Sequence, residues 1–148
     1  MNSLNLLNHI IIVYSDDIQN SKNGALALCD TLKQKNISSS VVSINNLPKN
    51  ASFVIVMGGD GSILKAARFF APFNAPILGV NLGRLGFLSQ INLDNLNFLT
   101  EQIINNNYQI ENRLMIKCEE ANFFALNDIV IKGDTISRTS RFYLKING

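Results

Sequence analysis

Cysteine and histidine are scarce in this sequence, and their scarcity excludes two kinds of protein. The 148 residues include two cysteines, Cys29 and Cys118, and a single histidine, His9. Two cysteines are too few for the disulfide framework that holds many small secreted domains together. A structural zinc site takes about four Cys or His ligands, so a Cys/His zinc centre is excluded as well.

Long apolar runs and a strong net charge are also missing. The longest apolar run near the start covers residues 10–14, far short of the roughly 20 residues of a membrane span. The N-terminus lacks the basic region and the cleavage site of a signal peptide. The 13 basic and 11 acidic side chains leave a net charge of +2, too small to indicate a nucleic-acid or membrane surface. We therefore predict a cytoplasmic protein with no nucleic-acid and no membrane partner.

The first two thirds of the sequence alternate between short β-branched runs and longer amphipathic segments. A composition of 47% hydrophobic and 16% charged residues is typical of a folded chain and not of a disordered one. Strands are predicted at 10–14, 40–44, 53–57 and 77–80, and helices at 24–33, 63–70 and 93–104. This alternation with short connections predicts an α/β fold: an open, mostly parallel sheet with flanking helices.

The pattern changes after residue 112. Strand-like runs at 114–117, 123–126, 129–131 and 142–146 are separated by turn residues, with no helical period between them. We predict two domains, an α/β nucleotide-binding domain over 1–112 and the beginning of a β-rich domain over 113–148. The final Asn147-Gly148 pair is a hairpin signal with no return strand after it, so we expect the second domain to be incomplete.

The strongest candidate site is the turn at 58–62, with the sequence Gly-Gly-Asp-Gly-Ser, between a predicted strand and a predicted helix. Open α/β sheets bind ligands beyond the carboxyl ends of their strands, and a glycine turn that leads into a helix presents amides to phosphate. Asp60 would repel a phosphate. It is therefore predicted to accept the proton of a substrate hydroxyl as a general base, or to help hold a metal on the phosphates. The alternative is a plain turn in which Asp60 caps the helix.

The turn does not match the common phosphate motifs. The sequence has no G-x-x-x-x-G-K-[ST], and Leu64 stands where the third glycine of G-x-G-x-x-G would be. Lys65 and Arg68 follow on the predicted helix. Each could contact phosphate oxygens as a point charge or simply be solvated.

Two later segments combine apolar and polar residues in an informative way. The glycines of residues 81–88, Asn-Leu-Gly-Arg-Leu-Gly-Phe-Leu, favour a loop that passes close to a ligand or to other backbone. We expect Phe87 and Leu88 to be core residues. Asn127 and Asp128 interrupt an apolar β run, where they must find partners or face a ligand. The alternative for this pair is a bulge or turn with local hydrogen bonds.

Three segments together resemble the N-terminal part of NAD kinases (ATP:NAD 2′-phosphotransferases) of the bacterial type. They are Gly-Gly-Asp-Gly-Ser-Ile-Leu-Lys-Ala-Ala at 58–67, residues 81–88, and Ala-Leu-Asn-Asp at 125–128. The glycine–aspartate turn is shared with diacylglycerol, sphingosine and phosphofructo-kinases, whereas the other two segments resemble NAD kinase specifically. The resemblance implies an α/β domain followed by a β-rich NAD-binding domain. It also implies transfer of a phosphoryl group from ATP or polyphosphate to the 2′-hydroxyl of the adenosine ribose of NAD, with Mg²⁺ as the divalent metal.

The resemblance also assigns roles to individual residues, with Asp60 as the catalytic one. The implied NAD-binding residues are Asp60, Gly61, Lys65, Asn127, Asp128 and Arg138. The implied phosphate-binding residues for ATP are Gly58, Gly59, Gly61 and Ser62, and no residue is assigned as a metal ligand.

Members of the family continue past this point with further NAD-site segments that are absent here. We therefore expect low or no activity from these 148 residues alone, and a homo-oligomer, a dimer or tetramer, for a full-length chain. Two alternatives stay open: a non-catalytic nucleotide-binding remnant, and a related lipid or sugar kinase that uses the same glycine–aspartate loop.

Overall fold

A five-stranded parallel sheet forms the centre of the computed structural model, which describes residues 8–83, 86–89, 91–133, 139 and 141–145. The strands are β1 (Ile10–Tyr14), β2 (Ser39–Ser43), β3 (Phe53–Met57), β4 (Ile77–Asn81) and β5 (Ile91–Asn92). Their order in the sheet is β2-β1-β3-β4-β5, and each neighbouring pair is parallel. The predicted open parallel sheet is confirmed.

Three helices flank the sheet, and a small antiparallel sheet follows it. The helices are α1 (Ser21–Gln34), α2 (Asp60–Phe70) and α3 (Leu96–Ile104), with short 3₁₀ turns at Ala71–Phe73 and Leu93–Asn95. Strands β6 (Ile116–Cys118) and β7 (Phe123–Ala125) pair in antiparallel register. The predicted start of a β-rich segment after the open sheet is therefore confirmed, while the domain boundary after residue 112 stays a prediction.

Strand β1 shows why the helices divide into two layers. Its side chains alternate between the faces of the sheet. Ile10 and Ile12 join a buried cluster with residues of α1 and α3, whereas Ile11 and Val13 join a second cluster with residues of α2. A strand that is buried on both faces needs a continuous apolar run, and that run is the signal read from the sequence.

The carboxyl ends of β1 and β3 form the natural ligand edge of this sheet. From β1 the chain crosses to β2 on one side, and from β3 it crosses to β4 on the other. A doubly wound sheet opens a crevice where the direction of winding reverses, just outside the carboxyl ends of its strands. The glycine turn that follows Met57 therefore lies at this edge.

A buried hydroxyl joins the two strand ends. Ser21, the fully buried first residue of α1, donates from Oγ to the Met57 carbonyl at 2.6 Å and accepts from the Ser15 N–H at 2.9 Å. We expect Ser21→Ala to lower the free energy of unfolding by about 1–3 kcal/mol, because a buried N–H loses its acceptor. Urea denaturation measures the change. Thr31→Ala is the control, since its hydroxyl bond to the Ala27 carbonyl is exposed; equal losses in the two variants would contradict the prediction.

The structure differs from the sequence-based expectation at several elements. Helices α1 and α2 begin three residues earlier than predicted, at Ser21 and Asp60. Strand β5 was not predicted, because two residues carry no periodicity. The helix predicted from residue 93 begins with a 3₁₀ turn, and its α-helical part begins at Leu96. The strands predicted at 129–131 and 142–146 are wrong for the described residues 129–131 and 142–145, which are not in strands. Val130 and Ile131 there are 75% and 72% exposed, and a β-branched run without a pairing strand does not form a sheet.

Candidate functional site

The first residue of the glycine turn continues the hydrogen bonding between β3 and β4. The Gly58 N–H donates to the Val80 carbonyl at 2.9 Å, so this amide is already bonded within the protein. Gly58 is buried, and a Cβ on it would lie 2.7 Å from Oγ and 2.8 Å from Cβ of Ser62. Glycine is needed at position 58 because the first turn of α2 folds back closely over the strand end.

The next residues present the amino end of α2. Gly59 precedes the helix in extended conformation, and its carbonyl accepts from the amides of Ser62 and Ile63 at 3.0 and 3.2 Å. The amides of Asp60 and Gly61, as the first two of the helix, have no acceptor within it. A Cβ on Gly59 or Gly61 would meet no described atom within 4 Å. The turn therefore offers donors and the positive end of an eleven-residue helix to an anion.

The carboxylate of Asp60 is held by a distant loop. Its Oδ2 accepts from the Phe87 N–H at 2.8 Å, and its Oδ1 accepts from the Leu88 N–H at 3.1 Å. The residue is half-buried, and no side chain caps α2, whose N-cap is Gly59. The helix-cap alternative for Asp60 is therefore wrong. Each carboxylate oxygen has two lone pairs, so each can still accept a second hydrogen bond.

Phe87 does not belong to the core. Its side chain is fully exposed at 100%, which corrects the prediction of a core role. Leu88 is half-buried and packs against the α2 cluster, as expected. An apolar residue beside a glycine favours a core prediction from sequence alone. Here the Phe87 backbone directs its N–H toward Asp60 and its ring toward solvent.

Lys65 takes part in a polar network that the sequence analysis missed. Its Nζ donates to Oδ1 of Asn45 at 2.6 Å, and the Asn45 amide donates to Oδ2 of Asp16 at 2.9 Å. Ser43 also donates to this carboxylate. The network joins the segments after β1 and β2 to α2. Since β1 and β2 are parallel neighbours, the polar residues that follow both strands were the signal that could have revealed it.

Asn127 and Asp128 lie beside α2 but not around Asp60. Both are exposed, just after β7, and they line a cavity of about 390 Å³ together with Leu64 and Arg68. Arg68 lies over the ring of Phe123, with 6.0 Å from Cζ to the centroid. Asp60 does not line this cavity. Arg138 lies outside the described residues.

A larger cavity, of about 810 Å³, is lined in part by residues of α2 and of the β6–β7 hairpin. Lys65, Arg68 and Lys117 line it together with four phenylalanines, and none of its lining residues is Asp or Glu. Lys117 forms an ion pair with Glu119 at 2.9 Å, so only part of this positive charge is left to favour an anion. Of the predicted site residues that the structure describes, only Lys65 lines this cavity.

The described residues hold no protein-built metal centre. No group of three or more His, Cys, Asp or Glu side chains occurs among them. Magnesium usually needs only one or two carboxylates besides substrate phosphates, so Asp60 fits a metal that arrives with a phosphate ligand. None of the described helices is long and apolar enough to cross a bilayer.

The parallel sheet, with helices on both faces and a glycine turn at its switch point, defines a doubly wound α/β protein. Residues 6–108 match the family model described as the ATP-NAD kinase N-terminal domain. The chain belongs to this family, which confirms the resemblance inferred from the three segments.

Curated relatives and a solved structure agree with this assignment. The chain is 39% identical over 114 residues to the NAD kinase of Natranaerobius thermophilus, covering 72% of this chain and 40% of the relative. It is 44% identical over 110 residues to the NAD kinase of Caldanaerobacter subterraneus, covering 70% and 39%. The crystal structure of yeast NADH kinase complexed with NADH has a TM-score of 0.51 at 14% identity, over 79% of this chain and 46% of that one. This last match shows a shared fold. The chain spans about 40% of the length of the curated relatives it matches.

Proposed function

We propose that the protein acts as an NAD kinase, transferring a phosphoryl group from ATP or polyphosphate to the 2′-hydroxyl of the adenosine ribose of NAD to give NADP. The observation that carries the proposal is the family match over residues 6–108, which includes the whole glycine turn and Asp60. The half-buried Asp60 carboxylate and the open amino end of α2 support it, because phosphoryl transfer needs a positioned acceptor and donors for phosphate oxygens.

In the proposed reaction the 2′-hydroxyl oxygen attacks the γ-phosphorus of ATP. The bond from that phosphorus to the β–γ bridging oxygen breaks, and ADP leaves. Asp60 accepts the hydroxyl proton at a carboxylate oxygen whose orientation the Phe87 and Leu88 amides maintain. The amides of Gly59 and Gly61 and the hydroxyl of Ser62 surround the phosphates, with Gly58 shaping the turn. Lys65, Asn127, Asp128 and Arg138 are the proposed NAD contacts.

The remaining expectations from the resemblance belong to the same proposal. Mg²⁺ brought in with ATP would neutralise charge on the phosphates, and the Asp60 carboxylate would be the group available to help hold it. The protein forms a homo-oligomer and works in the cytoplasm, as the resemblance implies.

An acceptor-competition experiment separates this function from its alternatives. The 148-residue chain is incubated with γ-labelled ATP, Mg²⁺ and, in separate reactions, NAD, diacylglycerol, sphingosine or fructose 6-phosphate. We expect label in NADP alone, at a low rate. Label in a lipid or sugar product would overturn the proposal in favour of a related kinase. Nucleotide binding by calorimetry without transfer to any acceptor would favour the non-catalytic remnant.

A further inference from the structure

The position of the Asp60 carboxylate against the loop at 86–89 depends on the absence of a side chain at position 86. A Cβ on Gly86 would lie within 2.6 Å of Oδ1, Cγ and Oδ2 of Asp60. Non-bonded carbon and oxygen atoms do not approach that closely. The close approach of the Asp60 carboxylate is by itself a sufficient reason for a glycine at position 86.

Contacts with the rest of the protein limit how far the loop at 86–89 can move away from Asp60. The Gly86 N–H donates to Oγ of Ser89 at 3.3 Å, and Ser89 is buried. A Cβ on Gly79 of β4 would lie 3.3 Å from the Ser89 Cα, so this part of the loop packs directly on the strand. A side chain at position 86 would therefore move the Asp60 carboxylate more easily than it would move the loop.

We propose that Gly86 is a positioning residue for Asp60: its missing side chain lets the carboxylate rest on the Phe87 and Leu88 amides, which directs the remaining lone pairs toward the substrate. The position of the carboxylate beside Gly86 follows from the structure itself. Only its consequence for catalysis rests on the proposed function. With Gly86→Ala, the simplest response is rotation of Asp60 away from the loop, and both hydrogen bonds are then lost.

A double-mutant cycle tests, without any activity assay, whether Gly86 positions the Asp60 carboxylate. We expect Gly86→Ala and Asp60→Ala each to lower the melting temperature of the chain by about 3–10 °C, the loss expected for charge-assisted hydrogen bonds in a domain of this size. The double variant should melt with Asp60→Ala, because alanine at position 60 removes all three atoms that the new methyl group would meet. Additive losses would overturn the proposal.

Amide spectra supply a signature that a merely structural role would not change. In ¹H–¹⁵N spectra, the Phe87 and Leu88 amide signals should move upfield in Gly86→Ala, as we also expect in Asp60→Asn, because the charged acceptor is lost. Gly83→Ala is the matched control, since a Cβ there would meet no described atom within 4 Å. Unmoved signals in Gly86→Ala would contradict the proposal. Neither readout requires NADP formation. Failure of the proposal that Gly86 positions Asp60 is therefore distinguishable from failure of the proposed function.

Discussion

Asp60→Asn is expected to lower the rate of NADP formation by a factor of about 10²–10⁴, the usual contribution of a general base. Asparagine keeps the size of the side chain but has no carboxylate to take up the hydroxyl proton. One of its two terminal positions is also an NH₂ group, which cannot accept from the Phe87 or the Leu88 amide. The measurement is kcat with saturating ATP and NAD, read by enzymatic cycling of NADP so that a slow reaction is still quantified.

Asp30→Asn is the matched control for this change. Asp30 lies on α1, exposed, with Lys33 at 3.8 Å as its ion-pair partner, and an exposed pair of this kind contributes little. The same loss of charge there should leave kcat unchanged. Comparable rates for Asp60→Asn and the wild-type chain would remove Asp60 from the chemical step. A decrease of the same size in Asp30→Asn would show that net charge is responsible.

The central sheet could be predicted because its signals are local. Strands β1 and β3 are continuous apolar runs, and both were placed at the observed residues, Ile10–Tyr14 and Phe53–Met57. For the described residues 129–131 and 142–145, the strand predictions failed for a non-local reason. An apolar run becomes a strand only beside a partner strand, and a single run does not reveal whether that partner is present.

The candidate site could be predicted only in part, for the same physical reason. Asp60 was identified from its charge, because a carboxylate inside a phosphate-type turn needs an explanation. Its hydrogen-bond donors are backbone amides of Phe87 and Leu88, far along the sequence. Every residue except proline has such an amide, so no residue type marks the contact. The glycine at position 86 carried the signal, but the sequence could not distinguish a nearby ligand from a nearby side chain.

Phe70→Ala is expected to lower the free energy of unfolding by about 3–5 kcal/mol. Phe70 is the last residue of α2 and is fully buried, in the cluster that holds this helix against the sheet. Its ring meets that of Phe69 edge to face, with centroids 5.0 Å apart. Truncation removes a large apolar side chain and leaves a cavity that close-packed neighbours fill only partly. A domain has about 5–15 kcal/mol of stability in all, so this loss is a large share.

The consequence reaches the site because α2 also carries Asp60 at its other end. Urea denaturation should give a lower midpoint with an unchanged slope, the sign of lost stability without a change in the surface exposed on unfolding. Phe98→Ala is the control: Phe98 also lies inside a helix but is 59% exposed, so we expect a loss below about 1 kcal/mol. Equal losses at the two positions would show that the layer between α2 and the sheet is not the core that positions Asp60.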